Sequence, residues 1–187
     1  MKTKFIIFIV LVVIIIGGFG LYLNSQPAAP SKFDGLALAL KSSGANFYGA
    51  FWCPHCQEQK AEFGSSKQYL PYVECANPDN SQTQVCIDNK IESYPSWTFK
   101  NGIKITSATD PVVCPIQKEG VKEEAVCANA ASQFYRVWIF QGNGFSIKSP
   151  TDPIKNGNIW QFPSGSYAVG KMELSALAEQ IQFTLPQ

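Results

Sequence analysis

The residues with the clearest chemistry are in the stretch FWCPHCQEQK, positions 51–60. Cys53 and Cys56 stand two residues apart around Pro54 and His55, and His55 is the only histidine in the chain. Two thiols at this spacing can bind a metal, form a structural staple or exchange electrons. A zinc site needs four ligands, commonly a second CxxC or two histidines. One CxxC and one histidine do not supply them. Covalent haem attachment needs a histidine directly after the second cysteine, and Gln57 follows Cys56. That leaves a redox pair as the favoured reading, with a purely structural disulfide or a metal pair as alternatives.

A redox pair needs one cysteine at the start of a helix. Unpaired backbone N–H groups and the helix dipole stabilise an anion there. They lower the thiol pKa and raise the share of thiolate, the reactive form. Cys53 is expected at that position. Cys56, one turn on, would resolve the mixed disulfide that Cys53 forms. His55 adds positive or hydrogen-bonding character beside the thiolate. Any group that stabilises this thiolate stabilises the reduced form and makes the disulfide a stronger oxidant. Pro-His between the cysteines therefore leans toward the oxidising end.

The flanking residues supply the required elements. NFYGAFW, residues 46–52, reads as a buried strand running into the cysteines. CPHCQEQKAEF reads as the helix, with Pro54 in its first turn and Gly64 at its end. Upstream, DGLALALKSSG reads as a short helix stopped by Gly44. Downstream, YLPYVEC, SQTQVCIDNKI and SYPSWTF read as strand, helix and strand, and KNGIKIT opens with a turn. Near the C-terminus, YAVG is a strand and KMELSALAEQIQF a helix. There Leu174, Leu177, Ala178 and Ile181 fall on one face. This alternation predicts an α/β fold with a sheet flanked by helices.

The first 23 residues form a separate feature. Residues 5–23, FIIFIVLVVIIIGGFGLYL, carry no charge, and as a helix would span about 28 Å, close to the hydrocarbon thickness of a bilayer. Lys2 and Lys4 precede them, so the positive-inside rule places the N-terminus in the cytoplasm. The expectation is a single-pass signal-anchor over 1–23, a linker over 24–32 and a domain over 33–187 outside the cytoplasm. A cleaved signal peptide is the alternative, and it too exports the domain. Six cysteines, at 53, 56, 75, 86, 114 and 127, then lie where disulfides form and persist. The net charge is +1 and no basic block is present, which argues against nucleic-acid binding.

Residues 106–166 form an insertion that a minimal α/β plan does not need. Its sequence echoes what precedes it. VEC, then Cys86, Trp97, WTF and NG, is followed by VVC, then Cys127, Trp138, WIF and GNG. A partial duplication and a coincidence between two similar strand–helix–strand units explain this equally well. The second copy lacks a CxxC, and Arg136 stands where the first has Pro95. The aromatics Phe134, Tyr135, Trp138 and Trp160 suit a core, with a substrate groove as the other use.

YGAFWCPHCQEQKAEFG followed by YVEC, QVC and SYPSW resembles the thioredoxin-like domain fused to vitamin K epoxide reductase homologues in bacteria and plants. The match runs over 36–102 and again over 166–183. The resemblance implies a thioredoxin fold, a central mixed sheet with flanking helices, and thiol–disulfide oxidoreductase activity. It implies that Cys53 and Cys56 are the redox pair, needing no other cofactor and no metal. It implies that Pro95 is a cis-proline and that Tyr94 pairs backbone with a substrate strand, beside Trp52, Pro54 and His55. Cys75 and Cys86 match a cysteine pair in the fused domains where a structural disulfide is expected. Cys114 and Cys127 have no counterpart, and their similar spacing suggests a second bridge.

The sequence departs from that pattern in three ways. No multi-helix quinone-linked domain is present, so an oxidase would need a separate membrane partner, vitamin K epoxide reductase-like or equivalent. The buried acid that thioredoxins place six residues before the first active cysteine is replaced by Phe47, which leaves water or another group, with Glu74 as a candidate. The insertion is expected to cover or extend the substrate surface. The leading expectation is a membrane-anchored oxidoreductase that promotes disulfide formation in exported cysteine-containing proteins. A reductase or isomerase is the runner-up. A non-catalytic binding or Cu(I)-handling module is disfavoured, because Met1, Met172 and one histidine are few soft ligands.

Overall fold

A computed structural model describes residues 12–18, 30–116, 127 and 132–186. The chain divides into two units, Met1–Pro30 and Ser31–Gln187. In the first, residues 12–18 are helical. The rest of the expected anchor and most of the expected linker lie outside the described residues. No helix among the described residues is long and apolar enough to cross a membrane.

The second unit has a mixed α/β fold. Its elements begin with helix α1 (Asp34–Ser42), strand β1 (Asn46–Gly49) and helix α2 (Pro54–Glu62). A 3-10 turn (Gly64–Tyr69), β2 (Tyr72–Glu74), α3 (Gln84–Asp88) and β3 (Ser96–Thr98) follow. Then come β4 (Ile103–Thr106), β5 (Val112–Cys114), β6 (Arg136–Ile139) and β7 (Phe145–Ser149). The last elements are β8 (Ile154–Asn156), β9 (Ile159–Phe162), β10 (Tyr167–Gly170) and α4 (Leu174–Gln180).

One sheet has seven strands in the order β2-β1-β3-β10-β7-β6-β5. β1 and β2 are parallel, with Gly49 opposite Glu74. β3 runs antiparallel to both β1 and β10, with Ser96 between Tyr48 and Val169. β1, β2 and β10 therefore point the same way, and their C-terminal ends share one edge of the sheet. The core of strands β2-β1-β3-β10 with helices α1, α2 and α4 is consistent with a thioredoxin-like fold.

Packing explains the local choices. Leu36 and Leu40 of α1 are fully buried while Leu38 is exposed, so a helical face, not strand alternation, accounts for the three leucines. Phe47 stacks on Trp97 with centroids 4.7 Å apart. Two predicted elements are shorter than their apolar patterns suggested. Pro71 bends the chain so that Tyr72 N–H bonds to the Leu70 carbonyl, and β2 starts only at Tyr72. α3 starts at Gln84 because Gln82 is held extended by a bridge to Ala76, and its side chain bonds to Ile91 and Tyr94.

The inserted segment extends the fold on two sides. β5, β6 and β7 continue the main sheet beyond β10. β9 pairs with β4 and β8 in a separate three-stranded sheet. Tyr135, Trp138 and Trp160 are buried, whereas Phe134 is half exposed. The sequence echo does not extend to topology. In the first copy β1 lies between β2 and β3; in the second, β5 and β6 pair directly and antiparallel. What the copies share is a disulfide that closes onto the end of the first strand. Cys75 is bonded to Cys86 and Cys114 to Cys127, with Cα–Cα distances of 5.6 and 5.5 Å. Loops of this size are worth roughly 3 kcal/mol each in the chain-entropy account.

Glu92 ties the insertion to the loop that leads into β3. Its carboxylate accepts hydrogen bonds from Ser132 Oγ (2.5 Å), Gln133 N (2.9 Å) and Lys148 Nζ (2.9 Å). The Lys148 side chain is 3% exposed, so this ion pair is sheltered from solvent. Burial alone would raise the Glu92 pKa, but the bonds from Ser132, Lys148 and Gln133 outweigh it and hold the carboxyl below its ordinary value. A carboxyl depressed on folding contributes stability above its unfolded pKa and loses it as pH falls through the folded value. Acidification from pH 5 to pH 3 is therefore expected to destabilise the wild-type protein more than Glu92→Gln, compared by urea unfolding at each pH.

Candidate active site

The site lies where β1 ends. Cys53 is the N-cap of α2, with extended backbone (φ −78°, ψ 116°), and Pro54 takes the first helical position. Pro54 suits that place because its fixed φ matches the helix and its missing N–H is not needed there. The Cys56 N–H points at Cys53 Sγ, 3.3 Å away. A sulfur thus occupies the place where a serine or aspartate oxygen usually caps a helix. Cys53 N–H bonds back to the Ala50 carbonyl at 3.0 Å, and Gln57 Nε2 donates to the Phe51 carbonyl at 2.8 Å. The turn that presents the cysteines is therefore braced at both ends.

Cys53 and Cys56 are the cysteines outside the two disulfides. Their sulfurs are 2.6 Å apart, and Cys56 is fully buried while Cys53 is 4% exposed. Burial, then the hydrogen bond to Cys53, pushes the Cys56 thiol up to about 12. Gly49 makes room for this sulfur. A Cβ there would lie 3.0 Å from Cys56 Sγ and 2.9 Å from Tyr72 Cε2, so any side chain would crowd both.

The expected docking residues separate into two groups. Tyr94–Pro95 is a cis peptide, and it immediately precedes β3, at the sheet edge where β1 hands over to Cys53. Trp52 is half exposed and meets the Tyr94 ring edge-on at 6.0 Å. The Pro95 carbonyl accepts from Gly170 N at 3.0 Å. Among the described residues, the Tyr94 main-chain N–H and carbonyl have no hydrogen-bond partner. His55 is elsewhere. Its side chain is 69% exposed, and its Nδ1 contacts Glu58 Oε2 at 3.1 Å rather than either sulfur. Among the described residues, no cluster of three or more His, Cys, Asp or Glu side chains could hold a metal ion.

Three supporting residues carried no signal in a motif search. Gln59 is fully buried. Its Nε2 donates to the Met172 carbonyl (3.0 Å), and its Oε1 accepts from Met172 N (2.8 Å) and Trp97 Nε1 (3.4 Å). It locks α2 to the chain after β10. Gln82 Nε2 donates to Tyr94 Oη at 2.8 Å and so orients the ring before the cis-proline. Lys60 has its ammonium 3.3 Å from the Tyr72 ring centroid. Its spacing, one helical turn from Cys56, is the one clue the sequence offers. Glu74, the candidate for proton handling, accepts hydrogen bonds from Tyr72 Oη (2.9 Å), Phe51 N and Ala76 N (both 3.0 Å).

Beside Tyr94 opens a recess of about 590 Å³, lined by Gln82, Ile87, Lys90, Glu92, Tyr94 and Phe134 among others. Ile87 and Phe134 are each 49% exposed. The insertion thus contributes a ring to a hollow that reaches Tyr94, and neither cysteine lines it.

Paired thiols at a helix start, both buried and with Cys53 keeping 4% of its surface exposed, are arranged as thiol–disulfide exchange chemistry requires. No known family profile matches the chain. Over 90 residues it is 39% identical to the thiol-disulfide oxidoreductase LTO1 of Arabidopsis thaliana, a match covering 44% of this chain and 24% of that protein. The similarity supports a thiol–disulfide redox role, and the chain spans about a quarter of that relative's length.

Burial disfavours the Cys56 anion, so a reagent that attacks thiolates should find it inert. In Cys53→Ser, carboxymethylation of Cys56 at pH 8 is expected to run at least about a hundredfold slower than that of a free cysteine, read by mass spectrometry.

Proposed function

We propose that the protein is a membrane-anchored thiol–disulfide oxidoreductase of thioredoxin fold. It works outside the cytoplasm and places disulfides in exported, cysteine-containing proteins through Cys53 and Cys56. The observation that carries this reading is the pair of unlinked sulfurs 2.6 Å apart at the N-terminus of α2. The apolar run over residues 5–23 supports the anchor and the location.

In the oxidising direction, a substrate thiolate attacks Cys53 Sγ of the Cys53–Cys56 disulfide. A substrate–Cys53 bond forms, the Cys53–Cys56 bond breaks, and Cys56 leaves as a thiolate that takes up a proton. A second substrate thiol, deprotonated, then attacks the substrate sulfur of the mixed disulfide. The substrate disulfide forms and Cys53 leaves as a thiolate. Two electrons now reside on the Cys53–Cys56 dithiol. A disulfide of a separate membrane partner, vitamin K epoxide reductase-like or equivalent, accepts them and renews the cycle. Tyr94 holds the substrate as an added strand through its unpaired backbone groups. Trp52, Phe134 and the adjoining recess receive its side chains.

One observation favours the reverse direction as a second reading. His55 pairs with Glu58 and lies away from the sulfurs, which weakens its part in an oxidising poise. Titrating the Cys53–Cys56 couple against glutathione buffers separates the two. The leading reading expects a potential above about −200 mV, and a value near −270 mV would replace it with a reductase. In the same assays, Cys53→Ser is expected to abolish disulfide exchange with insulin; retained activity would remove Cys53 from its role.

A further inference from the structure

Exchange through Cys53 and Cys56 passes through a Cys56 thiolate in either direction. The reaction must therefore place a negative charge on a sulfur that is fully buried. Position 47, where a buried acid would assist, holds a phenylalanine that stacks on Trp97. The site needs another group to make the anion tolerable.

We propose that Lys60 is that group: its ammonium, held over the Tyr72 ring and tied through Tyr72 to Glu74, stabilises the Cys56 thiolate. This inference rests on the exchange reading above. Lys60 follows Cys56 by four residues on α2, so both project from one face of the helix. The Cys56 sulfur and the edge of the Tyr72 ring flank the same space above Gly49, 3.0 and 2.9 Å from where a Cβ would stand. The Lys60 ammonium lies on that ring, 3.3 Å from its centroid, a close cation–π contact. Tyr72 Oη donates to Glu74 Oε2 at 2.9 Å, and Glu74 Oε1 is pinned by the Phe51 and Ala76 N–H groups. Carboxylate, ring and ammonium thus form a braced series whose middle member, the Tyr72 ring, shares the space above Gly49 with the resolving sulfur.

The surrounding charges point the same way. Burial and Cys53 disfavour the Cys56 anion, while a backbone bond at Ala50 and, more weakly, the charge of Lys60 one turn on favour it. Lys60 itself is lowered by burial and pulled back up by Glu74, Cys56 and Cys53, while Lys67 of the 3-10 turn opposes them. Tyr72 and Tyr94 also face the sulfurs, and burial holds both phenols protonated. Lys60 acts in this step as a cation and transfers no proton. In resolution, the Cys56 thiol gives up its proton and its sulfur attacks Cys53 Sγ. The Cys53–Cys56 bond forms, the Cys53–substrate bond breaks, and the departing substrate thiolate takes a proton. Lys60 is a positioning residue that acts through the Cys56 charge.

The test uses the full-length protein carrying a mixed disulfide between Cys53 and glutathione. Glutathione release is followed by rapid quenching from pH 5 to pH 10 in wild type, Lys60→Met and Lys60→Arg. Loss of the cation is expected to slow release about tenfold at neutral pH, where the rate follows the fraction of Cys56 thiolate. Lys60→Arg keeps the charge and is expected to stay within about threefold of wild type. A Lys60→Met profile that overlays the wild-type profile overturns the proposal. So does Lys60→Arg as slow as Lys60→Met, which would assign the effect to packing. Wild-type protein that releases no glutathione at any pH is a different failure, and it removes the exchange reading on which the proposal stands.

Discussion

The Cys56 N–H directed at the Cys53 sulfur is the contact around which the domain is arranged. It fixes three things together. Cys53 becomes the cap of α2, its sulfur sits in the positive end of the helix, and Cys56 lies one turn below it, buried. A capping hydrogen bond of this kind is worth about 1 kcal/mol, small against the packing that holds the helix in place. Gln59 provides much of that hold by binding both Met172 backbone groups and Trp97. If α2 slid along its axis, those three bonds would break together. The sulfurs are therefore held in register by a buried amide that performs no chemistry.

The same sheet edge explains how the site tolerates a long insertion. β10 fills the place beside β3, so the thioredoxin-like core closes without using residues 106–166. Those residues then build outward from β10 and from β4. They return to the site at one place, where Glu92 gathers Ser132, Gln133 and Lys148. The next residues toward β3 are Ser93, Tyr94 and the cis-proline. A buried ion pair contributes little net stability but is costly to break on one side. It suits an anchor that must fix where Phe134 stands beside Tyr94.

Much of this was legible in the residues. CPHC with its flanking strand marked the candidate site, and Pro95 marked the cis peptide at the same end of the sheet. The strand–helix alternation led to the mixed sheet. Other features were hidden for physical reasons. Strand order depends on contacts between residues far apart in sequence, so nothing in KNGIKIT showed that β4 would leave β3 for β9. Gln59 looks like any polar helix residue until its burial is known. Tyr72 carries no mark in the sequence, and only β2 lying beside β1 brings its ring to the space beside Cys56. His55 was misleading in the opposite sense. Sequence places it between the sulfurs, but a helix turns each residue about 100° from the last, and His55 projects to solvent beside Glu58.

That rotation bears on what sets the poise of the couple. The reduced form gains from whatever stabilises a thiolate more than it stabilises the disulfide. At Cys53 the neighbouring groups are the backbone N–H groups that open α2, which any residue pair after the cysteine would leave in place. At Cys56 they are scarcer. Burial raises that thiol, and the Lys60 charge works against the rise. A cation there favours Cys56 as a leaving group when the disulfide is attacked, and as a nucleophile when the mixed disulfide is resolved. It therefore speeds exchange in both directions, and because burial keeps Cys56 a thiol in the dithiol form it changes the equilibrium little. On the exchange reading, what Lys60 and its brace govern is the rate at which the buried half of the site reacts, and the exposed histidine between the cysteines stands apart from it.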